Sequence, residues 1–451
     1  MSAGAENRQF GRSAGTLSAG VGIAGLLTYV FFALASHNLS ATEYGELVVM
    51  WAAVFVTISV LHRPIEQFLS RSIADHRARG VEIGSTLRSG AWLLGVISLA
   101  FVVVALALRG PLEELFGDDD LLYWTYVATT TAFAFSFFAR GFLAGSGRFG
   151  FLAAMLATEG LARTLFALTV ALGIASGQDP ITLGVLAAPI ASLAVVPFAV
   201  RSQVKRERPV PIAAADSGTA TGLKHSSAFA AAVFLIMLSE QIFLNAGPLL
   251  LRGFEGPEAA GYIFNVLMLA RAPLVVFQGI AISLLPHLTR LRSRGGGEAD
   301  EAFGVSIEVT LRAIVVFTAV VAIVVAVAGP TLMQVAFGEE FSYDRTGLLI
   351  VTAAMGLYLA STTLNAAMLA QGQARRAAYC WIGCAIVFLG WSLIDVLDPI
   401  RRIEIGFAAA SAVLFVLLLR LYRDPHPVDA DVPVRGYEEL EARLALAEEA
   451  N

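Results

Sequence analysis

The chain has 451 residues, of which 57% are hydrophobic and only 15% are charged, and its mean hydropathy is +0.71. Soluble domains carry roughly 25% charged residues, so this composition excludes a set of soluble domains and predicts that hydrocarbon surrounds most of the chain. The net charge of -5 gives no basic excess of the kind that binds nucleic acid.

Apolar runs that can cross a bilayer, each needing about 20 residues, recur twelve times along the chain. Six precede a polar stretch at 201–224 and six follow it, at 14–36, 43–62, 89–108, 121–140, 150–174, 181–200, 225–251, 258–286, 304–328, 346–370, 377–395 and 403–420. The sequence therefore predicts an all-α membrane protein with an N-terminal six-helix bundle (1–200), a cytoplasmic linker (201–224), a C-terminal bundle (225–421) and a polar tail (422–451).

Lys and Arg are distributed unevenly between the two predicted faces of the membrane. With the N-terminus placed in the cytoplasm, 23 of the 31 basic residues fall on the cytoplasmic face and 5 on the opposite face. Because cytoplasmic loops carry the excess of Lys and Arg, both termini are predicted to be cytoplasmic. The tail from Tyr437 to Ala450 is expected to form a short acidic helix, either solvated or bound to a partner.

Two matched stretches indicate an internal duplication. Residues 40–45 (SATEYG) and 256–261 (GPEAAG) each lead into an apolar run, and their exits at 68–71 and 284–287 keep the same offset of 216. Farther along each half, FLAGSGR resembles MLAQGQAR. Because each half has an even number of helices, the halves are expected to be parallel repeats around a central substrate cavity, as in secondary transporters.

Short motifs in the eighth helix and in two turns are typical of a known family: Gly261-Tyr262, Leu269-Ala270-Arg271-Ala272-Pro273, Gln278-Gly279, 284–290 (LLPHLTR), Glu43-Tyr44-Gly45 and Gly147-Arg148. In these motifs the chain resembles the polysaccharide exporters, the lipid-linked oligosaccharide (O-antigen) flippases of the multidrug/oligosaccharidyl-lipid/polysaccharide superfamily. The resemblance covers about residues 10–420.

The resemblance implies a transporter in the bacterial cytoplasmic membrane, not an enzyme. Its expected substrate is a lipid-linked anionic glycan, flipped from the inner to the outer leaflet by alternating access. The protein is expected to be a monomer. Its implied partners are membrane lipids and a polysaccharide polymerase or glycosyltransferase. No ATP-binding G-x-x-x-x-G-K-[ST] sequence occurs and no cofactor is expected, so membrane potential or an unidentified coupling ion would drive transport.

Two ionisable residues lie deep in the predicted spans of the second half. Glu240 and Arg271 each stand 15 residues from the cytoplasmic end of their helix, or about 22 Å. An Arg or Asp at such a depth costs roughly 2.5–3.5 kcal/mol, so both residues should face a cavity or a partner. Two interpretations stay open: Arg271 binds a phosphate of the substrate while Glu240 tunes Arg271 or carries a proton, or the two form a structural ion pair.

Further arginines lie in or at the ends of helices. Glu159 and Arg163 have the i, i+4 spacing of an intrahelical ion pair, as do Glu308 and Arg312 nearer the interface. Arg163 is nevertheless expected to face the interior. Arg63 and Arg140 end the second and fourth predicted helices. Their side chains either extend to the membrane interface or form the entry site for an anionic headgroup.

Polar amides and glycines complete the candidate residues. The amides either hydrogen-bond sugars or join neighbouring helices: Asn245, Asn265, Gln278 and Asn365. The first helix of each half carries residues that permit either bending or close packing: Gly20, Gly22, Gly25 and Gly247-Pro248. Cys380 and Cys384 are expected to be packed thiols, not metal ligands.

Two other function classes remain open on the sequence. One is an antiporter of drugs or other small molecules, from the same superfamily or of the major facilitator type. The other is a membrane-embedded glycosyltransferase, which would need paired carboxylates in polar loops. The cavity lining separates the transporters, since several arginines favour an anionic headgroup, whereas an aromatic lining with one or two acids favours drugs.

Overall fold

A computed structural model of the chain describes residues 3–78, 80–204, 220–272 and 297–423. Within these ranges the chain forms helices and turns, and no strand occurs. The sequence predictions for Gln278, for the exit at 284–287 and for the acidic segment Tyr437–Ala450 lie outside the described residues.

The first half contains nine helices: α1 (Ala3–Asn38), α2 (Ala41–Leu61), α3 (Arg63–Ala78), α4 (Gly84–Ala107), α5 (Arg109–Leu115), α6 (Asp120–Gly145), α7 (Phe149–Ala171), α8 (Gln178–Leu193) and α9 (Val196–Val204). The second predicted helix does not end at Arg63, because α2 and α3 form one span joined at His62. Pro64 is the second residue of α3, where the N–H that it lacks has no helical partner to lose.

The second half contains α10 (Ala220–Glu255), α11 (257–272), α12 (Gly297–Phe337), a 3-10 turn (Glu339–Phe341), α13 (Arg345–Ala370), α14 (Ala374–Ser392) and α15 (Pro399–Arg423). Helices cover both ends of the predicted linker, since α9 continues to Val204 and α10 begins at Ala220. The linker residues between these helices lie outside the described ranges.

Ten spans in the described part of the chain are long and apolar enough to cross a membrane. The remaining two of the twelve predicted spans correspond to α14, which begins next to Arg375 and Arg376, and to α11, which is described only as far as residue 272. The chain is therefore a multi-pass, all-α membrane protein. We call the end of the bundle with the α1–α2 turn the outer end and the opposite end the inner end, after the orientation that the arginines predict.

The packing of the helices repeats between the two halves. The contacts α1–α7, α7–α8, α6–α8 and α4–α6 in the first half correspond to α10–α14, α14–α15, α13–α15 and α12–α13 in the second. Each pair joins the same two spans, counted from the start of its half. The chain thus folds as two parallel six-helix repeats, as the sequence predicts.

Acidic residues at the outer end begin several of the helices. Ser40 and Glu43 form a reciprocal capping box at α2. Asp119 caps α6 by accepting from the amides of Leu121 and Leu122, and Asp344 caps α13 in the same manner. Because α6 and α13 are the fourth and tenth spans, this capping is a further feature that the halves share.

Candidate functional site

The buried charges of the first half form one network between α6 and α7. Glu159 accepts hydrogen bonds from Arg140 and, at 2.8 Å, from the Ser136 hydroxyl. The side chains of Arg140 and Glu159 are 11% and 6% exposed. Arg140 lies over the ring of Phe137, 4.7 Å from its centroid. This guanidinium is therefore held by a carboxylate and an aromatic face, and it does not extend to the interface.

Arg163 lies beside this network but has different partners. Its guanidinium stacks 4.6 Å above the ring of Trp51 and donates to the Thr28 hydroxyl at 3.2 Å. The expected ion pair within α7 does not form, since Glu159 is bonded across to α6. Glu159 still acts on Arg163 electrostatically. Arg163 faces the interior, where it links α7 to α1 and α2. We call Arg140, Glu159 and Arg163 the first-half network.

A second set of polar side chains gathers where the halves face each other, and we call it the central group. Glu240 of α10 lies in the electrostatic range of Arg63, at the α2–α3 junction. The hydroxyl of Tyr358 on α13 lies within electrostatic range of Glu240, Arg271 and Arg63. Tyr29 of α1 donates to the Met268 carbonyl and lies near Arg271. The central group thus consists of Arg63, Glu240, Arg271, Tyr358 and Tyr29.

The structure brings Glu240 and Arg271 to one tyrosine but does not pair them. Among the described residues Glu240 forms no hydrogen bond or ion pair, and the arginine whose charge acts on it is Arg63 from the other half. Arg63, Glu240 and Arg271 are partly buried, as is Arg140, whereas Glu159 and Arg163 are buried. Unlike Arg140, these three charges form no ion pair with a described residue, so they can change partners.

Close contacts join the halves at the outer end. Adding a Cβ to Gly45 would place it 1.9 Å from the Pro257 carbonyl oxygen, and the Tyr44 hydroxyl donates to Asn265. Thr42 donates to Glu258 at 2.9 Å. Thr42 and Glu258 are 216 residues apart, the offset of the repeat, so equivalent residues of the two halves meet here. We call this set of contacts the outer closure, because it joins the two halves at the outer end.

The arginine of α10 adds to the outer closure. Arg252 donates to the backbone carbonyls of Glu114 and Leu115 in α5, each at 3.0 Å. No sequence pattern predicts this contact, because α5 is a short helix outside the apolar runs and backbone carbonyls carry no residue-specific pattern. From the sequence, Arg252 is only one of the five basic residues on the face opposite the cytoplasm.

Two of the three described candidate amides are hydrogen-bonded to other side chains, and the third has an unpaired side-chain oxygen. Asn265 is fully buried in the outer closure, and Asn245 donates to Gln241 within α10 at 3.0 Å. Asn365 of α13 is 9% exposed, and its side-chain oxygen has no hydrogen-bond partner in the described part of the chain. The Asn365 acceptor is therefore buried and unpaired among the described residues.

The candidate glycines differ in whether a neighbouring helix packs against them. A Cβ on Gly20 would meet the Ala153 Cα of α7 at 2.7 Å, so this glycine allows two helices to approach closely. A Cβ on Gly22 would have no heavy atom within 4 Å. Gly247 packs against Ile403, since its added Cβ would lie 3.1 Å from that side chain. The outer closure, not the first helices, holds the tightest glycine contact.

Side chains of the described residues do not gather into a metal site, as no group of three His, Cys, Asp or Glu is placed to hold an ion.

The surface pair Arg312–Glu308 forms at 2.5 Å, as predicted, with both side chains well exposed. Arg63 and Arg140, counted with the loop arginines in the sequence, instead lie within helices.

Comparison with known proteins identifies the fold. No protein-family model matches the chain, and no curated protein matches it. Solved structures do match: an inward-facing multidrug resistance MATE family transporter of the MOP superfamily has a TM-score of 0.61 at 14% identity, covering 91% of this chain and 93% of its own. This is the MATE transporter fold.

Two more structures agree with it. A mutant of the Vibrio cholerae MATE transporter VcmN has a TM-score of 0.61 at 15% identity and covers 92% of this chain and 96% of its own. An outward-facing multidrug resistance MATE family transporter has a TM-score of 0.60 at 15% identity, with 91% and 94% covered. All three structures therefore share the fold of this chain, and at identities of 14–15% they show the fold alone.

Proposed function

We propose that the protein is an alternating-access transporter that flips a lipid-linked anionic glycan from the inner to the outer leaflet of a bacterial cytoplasmic membrane. The observation that carries this proposal is the pair of half-buried arginines, Arg63 and Arg271, which approach one tyrosine from the two halves. Guanidinium groups bind phosphate in a bidentate manner and keep their charge at any physiological pH.

Alternating access would exchange the outer closure for a closure at the inner end. The phosphate-bearing headgroup would enter from the inner end and contact Arg271 and Arg63, while its lipid tail stays in the bilayer. Glu240 competes with the phosphate for Arg63, so binding would release the carboxylate and substrate exit would restore the interaction. Asn365 offers a side-chain oxygen that accepts hydrogen bonds from sugar hydroxyl groups.

Deletion of the gene, followed by analysis of lipid-linked sugars in each leaflet, tests this function. Accumulation of the lipid-linked glycan on the cytoplasmic leaflet is expected. Glycans that are unchanged in both leaflets would overturn the proposal. Reintroduced wild-type protein should restore the distribution, and the Arg271→Glu protein should insert in the membrane without restoring it.

Export of cationic drugs is a second candidate function, favoured by one observation. Glu240 lies within electrostatic range of the Tyr358 hydroxyl, so a carboxylate and an aromatic side chain share this region, a combination that attracts an organic cation. The same deletion strain separates the two candidates, because drug export predicts altered drug sensitivity with unchanged glycans. The two transporters would also differ in mutants, since Glu240→Gln should abolish drug export but Arg271→Gln should leave it largely intact.

A further inference from the structure

A groove opens between the inner ends of α14 and α15, apart from the interface between the halves. Its volume is about 680 Å³, and Arg376, Arg420 and Arg423 line it together with Tyr379, Leu417 and Leu421. Pockets of about 300–1,000 Å³ hold small ligands. The second-half members of the central group lie on α10, α11 and α13, so this groove is a separate site.

The groove carries positive charge that the described residues do not neutralise. Arg376 lies in the first turn of α14 and donates to Gln373 at 3.2 Å, while Arg420 and Arg423 lie in the last turn of α15. None of these three arginines forms an ion pair with a carboxylate in the described part of the chain. Their arrangement favours an anion, above all one with phosphate oxygens.

Exposed apolar side chains continue from the groove toward the middle of the membrane. Tyr379 is 62% exposed and Leu417 is 36% exposed. Ile386 and Val413 stand ten residues from Arg376 and Arg423, or about 15 Å along their helices, and are 61% and 52% exposed. A ligand with its charge at the arginines would therefore have an uninterrupted apolar path into the bilayer.

We propose that this groove binds an anionic phospholipid of the cytoplasmic leaflet, with its phosphate among the three arginines and its acyl chains along α14 and α15. Basic pockets between transmembrane helices on the cytoplasmic side suit such headgroups. The acidic segment at 437–450 is the competing anion within the chain. The lipid accounts for the apolar path as well as the charge, whereas a solvated polypeptide segment would leave that path uncovered.

Native mass spectrometry of the full-length protein, titrated with phosphatidylglycerol or with zwitterionic phosphatidylcholine, tests the site. Wild-type protein should retain phosphatidylglycerol preferentially. The variant with Arg376→Gln, Arg420→Gln and Arg423→Gln should lose affinity by about fivefold for each arginine removed. Leu417→Trp, which fills the groove but keeps every charge, should also weaken binding.

A matched control is Arg88→Gln, because Arg88 is an exposed arginine near the inner end of α4 that does not line this groove. Its affinity for phosphatidylglycerol should equal that of the wild type. Equal retention of the two lipids, or wild-type affinity in the triple variant, would overturn the proposal. So would binding that emerges only after Glu438, Glu439, Glu441, Glu448 and Glu449 are changed to Gln, since the acidic segment would then occupy the groove. None of these readouts depends on transport.

Discussion

The two halves share one helix arrangement but treat their interior charges differently. In the first half, Glu159 is bonded to Arg140 and Ser136, and Arg140 and Arg163 lie on aromatic faces. In the second half, Glu240 lacks an ion pair among the described residues and Arg271 approaches tyrosines. A fold that keeps the same packing twice has therefore neutralised one set of charges and left the other set available.

This difference separates stability from function. Breaking a buried, hydrogen-bonded ion pair leaves an uncompensated charge, so its members hold the helices together. Half-buried charges without fixed partners contribute less to stability and can bind an incoming group. We therefore expect the first-half network to act as a rigid support and the central group to act as the substrate contact.

The largest expected effect is on stability, in the first half. Arg140→Met leaves Glu159 buried without its ion pair and should lower the free energy of unfolding by about 3–5 kcal/mol. The double variant with Glu159→Gln should recover most of this loss, because no charge then stays buried. In the second half, Glu240→Gln should change stability by less than about 1 kcal/mol. Denaturant titration in detergent measures all three, and equal losses from Arg140→Met and Glu240→Gln would break the comparison.

The next effect is on transport, in the central group. A charge-assisted hydrogen bond is worth about 1.5–3 kcal/mol, so Arg271→Gln should slow flipping by about 10- to 100-fold with little change in unfolding free energy. Arg271→Lys should recover part of the rate, because it keeps the charge but loses bidentate geometry. Arg312→Gln is the control, since its partner Glu308 and Arg312 itself are exposed at the surface. A flipping assay in proteoliposomes measures these rates, and full activity in Arg271→Gln would remove Arg271 from the site.

The sequence predicted the fold well because hydrocarbon imposes a simple pattern. The ten described spans agree with the predicted apolar runs, and the Thr42–Glu258 contact joins residues at the predicted offset of 216. The helix ends were less predictable. Polar helices such as α3 extend beyond the apolar run, so Arg63 and Arg140 looked terminal although the helices continue past them. Hydropathy measures burial in lipid, and it does not register a helix that continues into water.

For the charged residues, the sequence predicts which ones lie inside the bundle better than it predicts their partners. Spacing along α7 suggested that Glu159 would pair with Arg163, but the nearer guanidinium comes from Arg140 on another helix. Depth alone suggested that Glu240 would face Arg271, whereas Arg63 of the other half acts on it. Pairing across helices depends on rotation about each helix axis, which a single sequence does not specify. That these residues bind substrate stays a prediction.

The contact between the halves can be broken at one glycine. Gly45→Ala places a Cβ against the Pro257 carbonyl, and overpacking of this kind costs typically about 1–3 kcal/mol. The closed outer end should lose population by about 5- to 150-fold relative to the open one. Spin labels at Asn38 and Glu255, in a background without Cys380 and Cys384, would report a longer distance across the outer end. Gly22→Ala, which meets open space in this structure, should leave that distance unchanged; the reverse result would assign the movement to bending of α1.

The smallest effect compares the two equivalent helix caps, Asp119 of α6 and Asp344 of α13. Backbone N–H donors, first that of Thr346, and then the Arg401 guanidinium hold the pKa of Asp344 below its ordinary value of 3.8. The stabilisation that Asp344 contributes is therefore complete above a pH of about 3.8 and is lost as the pH falls through its lower pKa in the folded state.

Asp119 instead receives a hydrogen bond from Gln178 at 2.8 Å. Asp344→Asn should thus cost more than Asp119→Asn at neutral pH, by a small margin because Asp344 is half-exposed. Unfolding measured against pH should show this excess vanish in acid, and an excess that is independent of pH would mean that the arginine contributes nothing to the second cap.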